Sequence, residues 1–241
     1  MSAGSLAVAQ LGLVPYAEAL RLQRAIAEDR IAGRLGSDVL LLLEHPPVVT
    51  LGRGTRATSL PIAPDALRRR GIDVFEIERG GDVTYHGPGQ LVGYPIFDLA
   101  AHRKDLHWFL RQIEEALFAA LGRFGIPGER RERYTGVWTG GRKIASIGIH
   151  VRQWVTWHGF ALNVTDDLSA FDLIVPCGIP DVVMTSVAKE LEAQGRGGTG
   201  APGARAGAEL GDPVREAVVD AFVRTFGFGG VQAFDAATSA A

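Results

Sequence analysis

The chain has 241 residues, of which 46% are hydrophobic and 22% are charged, and its formal net charge is −2 at pH 7. This is the composition of an ordinary soluble globular protein, and it gives no sign of a nucleic-acid partner. No apolar run approaches the roughly 18 residues of a membrane span, and the N-terminus lacks the basic-then-apolar layout of a signal peptide. We therefore expect a cytoplasmic protein that binds neither membranes nor nucleic acid.

Hydrophobic periodicity and turn residues predict alternating helices and strands along the chain. In order, these are a helix opened by Pro15, strands over 39–43 and 48–51, one or two helical turns over 65–70, an extended segment over 74–77, a strand over 91–99, a helix over 106–124, strands over 135–139, 143–151 and 154–164, and a helix over 214–226. Gly125 is placed to end the long helix, and Gly140-Gly141 is typical of a tight hairpin turn.

The stretch 194–211 is rich in glycine, alanine and arginine. Such a stretch buries little apolar surface, so it predicts a mobile loop. We expect residues 1–241 to form a single catalytic domain of the α/β (α+β) class, with a central mixed sheet flanked by helices.

The densest group of candidate site residues is the segment 79–90, which reads Arg-Gly-Gly-Asp-Val-Thr-Tyr-His-Gly-Pro-Gly-Gln. Its glycines let the backbone approach a ligand, and Arg79 and His86 add hydrogen-bond donors. No lysine follows the last glycine, so this is not the phosphate loop of nucleotide-binding enzymes. The residues alone leave two readings open, a ligand-binding loop or a plain turn between strands.

Lys143 follows the predicted hairpin turn, at the start of a strand whose alternation places it on one face with Ala145, Ile147 and Ile149. Beside an apolar pocket the ammonium is destabilised, which lowers the pKa and makes the lysine a usable base. The alternative is a lysine whose head group reaches water at the strand end.

The segment 157–164 contains His158, Gly159 and Phe160. Gly159 leaves space, while Phe160 and Leu162 can line an apolar slot. For His158 we favour a core or rim imidazole with one hydrogen-bonded nitrogen over a catalytic role.

Cys177 is the only cysteine, and Pro176 and Gly178 flank it. One cysteine forms neither an internal disulfide nor a thiolate metal site, which leaves a buried hydrophobe or a nucleophile. A nucleophile needs a cation or base beside the thiol, because the thiolate is the form that attacks. Lys143, His86 and His158 are the candidates for that neighbour.

Taken in order, these segments resemble the lipoyl(octanoyl) transferases, the octanoyltransferases of protein lipoylation. The match comprises Arg-Gly-Gly-x-x-Thr-x-His-Gly-Pro-Gly-Gln at 79–90, Gly-x-Lys-Ile-x-Ser-Ile-Gly at 141–148, His-Gly-x-Ala-Leu-Asn at 158–163 and Pro-Cys-Gly at 176–178. Each motif alone is weak, whereas the ordered set is specific. The resemblance implies a fold shared with lipoate ligases and biotin protein ligases.

The resemblance also implies an activity, in which an octanoyl group moves from octanoyl-acyl carrier protein to a lysine of a lipoyl domain. The implied acceptors are the lipoyl domains of 2-oxoacid dehydrogenase complexes and the glycine cleavage H protein. Cys177 would carry the acyl group as a thioester and Lys143 would act as acid/base, without metal or cofactor. The substrate-binding residues implied are Arg79, Gly80, Gly81, Asp82, Val83, Thr84, Tyr85, His86, Ser146, Ile147, Gly148, Gly159, Phe160 and Ala161. We expect a monomer.

This chemistry agrees with the residues, because a thioester donor is already activated and needs no nucleotide. We expect an apolar slot lined by residues such as Val83, Tyr85, Ile147 and Phe160 to measure chain length. Val83 and Tyr85 alternate with His86 along the chain, so the alternative is that these two face the core. Backbone N–H groups of Cys177-Gly178 or of the 80–89 loop are candidates for stabilising the oxyanion. Three other functions stay open, namely an ATP-dependent lipoate- or biotin-type ligase, a non-catalytic acyl or lipoyl-domain binding protein, and a thioesterase.

Overall fold

The computed structural model describes residues 4–196 and 204–237, and within them most of the predicted elements are present. The strands are β1 (Ser5–Leu13), β2 (Val39–Glu44), β3 (Val48–Leu51), β4 (Asp73–Glu76), β5 (Thr84–His86), β6 (Gln90–Ile96), β7 (Glu129–Arg131), β8 (Tyr134–Thr139), β9 (Arg142–Arg152), β10 (Val155–Asn163) and β11 (Gly230–Ala233). The helices are α1 (Tyr16–Ile31), α2 (Pro64–Arg68), α3 (Leu106–Gly122), α4 (Val187–Ala193) and α5 (Ala204–Phe226). Short 3-10 turns cover Ala57–Ser59, Leu168–Leu173 and Pro176–Gly178.

Two mixed sheets lie at the centre of the described structure. The larger has the strand order β11-β1-β2-β6-β10-β9-β8-β7, in which β1 runs parallel to β2 and β11 and the other neighbours are antiparallel. The smaller has the order β4-β3-β5, with β3 parallel to β4 and antiparallel to β5. The mixed sheet that the sequence predicts is therefore confirmed.

The apolar run in β2 is continuous because both faces of the large sheet are covered. Leu40 and Leu42 pack in the core that α3 and α5 form on one face. Val39, Leu41 and Leu43 pack in the core that α1 forms on the other face. Side chains alternate along a strand, so a strand between two layers needs an apolar residue at every position.

The long helix α3 begins and ends close to where the sequence predicts. The Asp105 side chain caps it by accepting a hydrogen bond from the backbone N–H of Trp108 at 3.0 Å. Gly125 follows the helix with φ +70°, the left-handed conformation that glycine adopts without steric cost. None of the helices in the described ranges is long and apolar enough to cross a bilayer.

The loop prediction for 194–211 is wrong for its second half. The helix α5 begins at Ala204 and continues through Pro213, whereas residues 197–203 lie outside the described ranges. The expectation that this stretch is mobile stays a prediction. The sequence reasoning also missed the strands β1, β5, β7 and β11 and the short helix α4, because three of those strands have no more than four residues and α4 has two turns.

Candidate active site

A cavity of about 330 Å³ opens beside β9 and β10, within the size range of small-molecule sites. Segments far apart in the sequence meet on its wall. The motif residues on the wall are Arg79, Gly80, Gly81, Asp82, Thr84, His86, Lys143, Ser146, Ile147, Gly148, His158, Gly159, Phe160, Ala161 and Cys177. The fold therefore brings the four motifs to one place, which favours the ligand-binding reading of segment 79–90 over a plain turn.

Cys177 lies on a strained turn beside this cavity. It is half-buried, and its φ of +56° and ψ of +20° are left-handed, a conformation that costs a residue with a Cβ about 1–3 kcal/mol. Backbone hydrogen bonds maintain the turn: Cys177 N donates to Val83 O and Val175 N donates to Ser59 O, each at 2.9 Å. The surrounding chain thus holds the thiol in place against local backbone preference.

Asp82 and Gly178 fit together at this turn. The Asp82 carboxylate accepts hydrogen bonds from Ser59 Oγ and from the backbone N–H of Val83, each at 2.7 Å. Gly178 has φ +63°, and a Cβ at this position would overlap Asp82 Oδ2. Only glycine therefore lets the carboxylate lie against the residue that follows Cys177.

Lys143 contacts the cysteine directly. Its Nζ donates a hydrogen bond to Cys177 Sγ at 2.8 Å. The side chain is fully buried, and Nζ lies 5.0 Å from the centroid of the Trp138 ring. The alternative of a lysine head group in water is excluded, and of the three candidate neighbours it is Lys143 that touches the sulfur.

A β-bulge turns Lys143 toward the sulfur, which corrects the face predicted from simple alternation. Gly136 pairs with Ser146 and Val137 with Ala145, but Trp138 pairs with Lys143, so one extra residue stands in β9 at Ile144. A bulge reverses the alternation of side chains beyond it. As a result Lys143 and Ser146, three positions apart, both reach Cys177, with Ser146 Oγ 3.8 Å from Sγ.

The surroundings of Cys177 favour the thiolate. Burial by itself raises the pKa of the thiol, because the thiolate loses its hydration. The Lys143 charge and hydrogen bond, the Arg79 charge and the Ser146 hydroxyl together outweigh burial, so the pKa lies below the ordinary value of a thiol. The cysteine is thus biased toward the nucleophilic form.

Arg79 supplies a second cation to the cavity wall. It is buried, and its guanidinium donates to Thr50 O and Thr50 Oγ1, each at 2.9 Å, and to Gly80 O at 3.1 Å. Burial lowers its pKa from the ordinary value, but a guanidinium keeps its proton in a protein. Its positive charge is therefore available to an anion in the cavity.

A buried chain of hydrogen bonds joins His86 to the lysine strand. His86 Nδ1 donates to Gln90 Oε1 at 2.7 Å, Gln90 Nε2 donates to Asn163 Oδ1 at 2.9 Å, and Asn163 Nδ2 donates to Thr185 O at 2.9 Å. Thr185 N in turn donates to Lys143 O at 2.9 Å. Burial lowers the pKa of His86 to about 3, so its ring is neutral at neutral pH and acts in positioning.

Ile147 and Phe160 line the cavity as predicted, whereas Val83 and Tyr85 do not line it and face the core, which is the alternative that strand alternation left open. These two side chains point to the opposite side of β5 and pack in a core with Phe171. The cause is strand alternation, because Asp82, Thr84 and His86 occupy the cavity side. Val83 still contributes its carbonyl, which holds the Cys177 turn.

Three of the backbone N–H groups expected to stabilise an oxyanion already donate to carbonyl oxygens, and a role for the rest of the 80–89 loop stays a prediction. Cys177 N donates to Val83 O, Gly178 N to Val175 O and Gly80 N to Ile149 O. The proposal of a Cys177-Gly178 oxyanion site is therefore incorrect for this conformation. The polar side chains that contact the sulfur, and that could stabilise an oxyanion in place of these backbone groups, are Lys143 and Ser146.

The sequence reasoning missed Tyr16 on the cavity wall, and it missed Glu78, which lies next to His158 but off the wall. Tyr16 lines the cavity, although its place on the apolar face of α1 predicts a core residue. His158 is buried on the wall, as expected for a core or rim imidazole. Its Nε2 lies 3.8 Å from Glu78 Oε2 and has no hydrogen-bond partner among the described residues. Glu78 also accepts from Trp157 Nε1 at 2.9 Å, and these neighbours hold its pKa below the usual range. The sequence signal that could have found Glu78 is its position as a charged residue directly before Arg79.

Comparison with known proteins identifies the family. Residues 15–196 match the family model of the lipoyl protein ligase A/B catalytic domain. An octanoyltransferase of Gloeobacter violaceus is 57% identical over 168 residues, which cover 70% of this chain and 73% of that protein. An octanoyltransferase of a Nostoc species is 46% identical over 216 residues, 90% of each chain. This chain belongs to the octanoyltransferase family.

Solved structures show the same fold for this octanoyltransferase. A lipoate-protein ligase A bound with ATP superposes with a TM-score of 0.70 and 16% identity, covering 100% of this chain and 93% of that chain. A biotin protein ligase of Leishmania major superposes with a TM-score of 0.50 and 13% identity, covering 91% of this chain and 75% of that chain. The expectation of a fold shared with lipoate and biotin protein ligases is confirmed.

Proposed function

We propose that the chain moves an octanoyl group from octanoyl-acyl carrier protein to a lysine of a lipoyl domain, through a thioester on Cys177. The proposal depends above all on the 2.8 Å contact between Lys143 Nζ and Cys177 Sγ beside an apolar cavity. Acceptors are lipoyl domains of 2-oxoacid dehydrogenase complexes and the glycine cleavage H protein. The protein acts as a monomer in the cytoplasm.

The first half-reaction loads the cysteine. The Cys177 thiol gives its proton to Lys143, and the thiolate attacks the thioester carbonyl of the donor. The tetrahedral intermediate expels the donor's thiolate, which takes the proton from the Lys143 ammonium. Acyl-Cys177 and a neutral lysine amine remain, and one thioester has replaced another.

The second half-reaction forms the amide. The amine of the acceptor lysine attacks the thioester carbonyl, and Lys143 takes the proton that the attacking nitrogen must lose. The carbon–sulfur bond breaks with its electrons on Cys177, which restores the thiolate beside a lysine ammonium. Amide formation from a thioester is downhill, so no nucleotide enters.

The apolar wall suits an aliphatic chain. Ile147, Phe160, Leu106 and Leu110 line the cavity. Each methylene that leaves water contributes about 0.8 kcal/mol to binding. A Cβ on Gly93 would overlap the Phe160 ring, so the glycine lets this ring lie flat against β6.

Incubation with octanoyl-acyl carrier protein, without ATP, tests the proposal by intact mass spectrometry. We expect one octanoyl group on the unsubstituted protein, none on Cys177→Ala, and transfer to an added lipoyl domain as an amide. Full activity of Cys177→Ala that requires ATP would instead identify a ligase. Free octanoate without amide would identify a thioesterase, and no turnover would identify a binding protein.

A further inference from the structure

Asp82 is the one carboxylate on the described wall of the cavity, where the charged neighbours are Arg79, Arg133 and Lys143. It is half-buried, and its Oδ2 lies against Gly178, the residue that follows the nucleophile. A negative charge at this place opposes formation of the Cys177 thiolate. The first half-reaction therefore gains nothing from Asp82, and a role in the second is the alternative to consider.

The carboxylate is free to take a cation. Ser59 Oγ and the backbone N–H of Val83 use one lone pair on each oxygen, whereas a carboxylate offers about four acceptor positions. No lysine, arginine or histidine of residues 4–196 and 210–237 lies within ion-pair distance of Asp82. The two hydrogen bonds fix its orientation beside the cysteine turn without neutralising it.

We propose that Asp82 binds the ammonium group of the incoming acceptor lysine and so selects a cationic amine for the second half-reaction. This inference rests on the proposed function, because it needs an acyl group on Cys177. The acceptor is a primary amine that is protonated at neutral pH. An oriented, half-buried carboxylate attracts such a cation more strongly than one in bulk water does.

The step balances with the residues already described. The bound ammonium gives one proton to solvent water and becomes the attacking amine. Its nitrogen bonds to the thioester carbonyl carbon and gives its second proton to Lys143, and the electrons of the broken carbon–sulfur bond return to Cys177. Asp82 is unchanged, so its role is recognition of the amine.

Two nucleophiles of different charge test the proposal on the octanoyl form of the full-length protein. The amide of N-acetyl-lysine is a cationic amine at neutral pH, whereas hydroxylamine is uncharged there. For Asp82→Asn we expect KM for the lysine amide to rise about tenfold, as for loss of a partly screened ion pair. The reaction of octanoyl-Cys177 with hydroxylamine should stay within about twofold, because it involves no cation at Asp82.

Asp181→Asn is the matched control. Asp181 is exposed and lies close to Cys177 in the chain but off the cavity wall, and asparagine tolerates its φ of +57°. We expect this variant to leave both nucleophiles unaffected, and Asp82→Glu, which keeps the charge, to retain the preference for the lysine amide.

If Asp82→Asn loses activity equally with the lysine amide and with hydroxylamine, or loses none with either, the proposed role of Asp82 is refuted. If Asp82→Asn does not fold, the unsubstituted protein decides: added salt must slow the lysine amide more than hydroxylamine, because it screens the ion pair, and equal slowing refutes the proposal. Failure of the proposed function looks different, since no acyl group would then appear on Cys177 at all.

Discussion

Replacing Lys143 with methionine tests the contact on which the chemistry depends. Methionine is an unbranched side chain that fills the buried site, but it lacks the cation whose Nζ lies 2.8 Å from Cys177 Sγ. A hydrogen bond to a charged group is worth about 1.5–3 kcal/mol, and about 1.4 kcal/mol corresponds to a factor of ten. We therefore expect the equilibrium constant for thiolate formation to fall about ten- to a hundredfold.

The direction in which the pKa of Cys177 changes in Lys143→Met follows from the groups that shift this pKa. Burial raises the pKa of Cys177 and the cations lower it, so removing Lys143 moves the pKa upward. The thiolate exists above this pKa, and the pH at which it forms moves to higher values.

Alkylation by iodoacetamide measures the thiolate population, because the thiolate is the reactive form. Cys177 is the only cysteine, so each chain takes up one label, which intact mass spectrometry counts. The curve of rate against pH should lie at higher pH for Lys143→Met than for the unsubstituted protein. Lys104→Met, at an exposed position off the cavity wall, is the control and should not move the curve. Superimposable curves for Lys143→Met and the unsubstituted protein would refute the reasoning.

Three further substitutions test the framework around the site. Gly178→Ala places a Cβ on Asp82 Oδ2 at φ +63°, so we expect a loss of about 1–3 kcal/mol in unfolding free energy together with slower acylation, and an unchanged melting temperature would contradict this. Glu114→Ala leaves the Gly136 N–H without its buried acceptor and should cost about 1–3 kcal/mol by chemical denaturation; a cost near zero would mean that water replaces the carboxylate. Among the described residues, neither carboxylate oxygen of Asp166 has a hydrogen-bond partner, and burial raises its pKa from 3.8 to about 8. The folded state thus keeps a proton that the unfolded state loses, and the unfolding free energy falls as pH rises through that range. Asp166→Asn should therefore gain stability over the unsubstituted protein toward the upper end of the range, and a pH-independent difference would contradict the shift.

Strong local patterns predicted much of the fold. The apolar run at 39–43 indicated a strand, and β2 is apolar at each of these positions because its residues alternate between two cores. The helical spacing of apolar residues over 106–124 predicted α3. The glycines at 140–141 predicted the hairpin that joins β8 and β9. Edge strands such as β7, which is exposed throughout, and β11, which is mostly exposed, have no such pattern, because burial does not select their residues.

The sequence by itself determined which reactive groups the chain owns, one thiol and a lysine 34 residues before it, and the ordered motifs that contain them. Only the tertiary structure decided that Lys143, and neither His86 nor His158, contacts the sulfur. The physical reason is that a side chain's direction depends on strand register and on bulges such as the one at Ile144. Register is set by pairing between distant segments, which no local pattern of residues encodes.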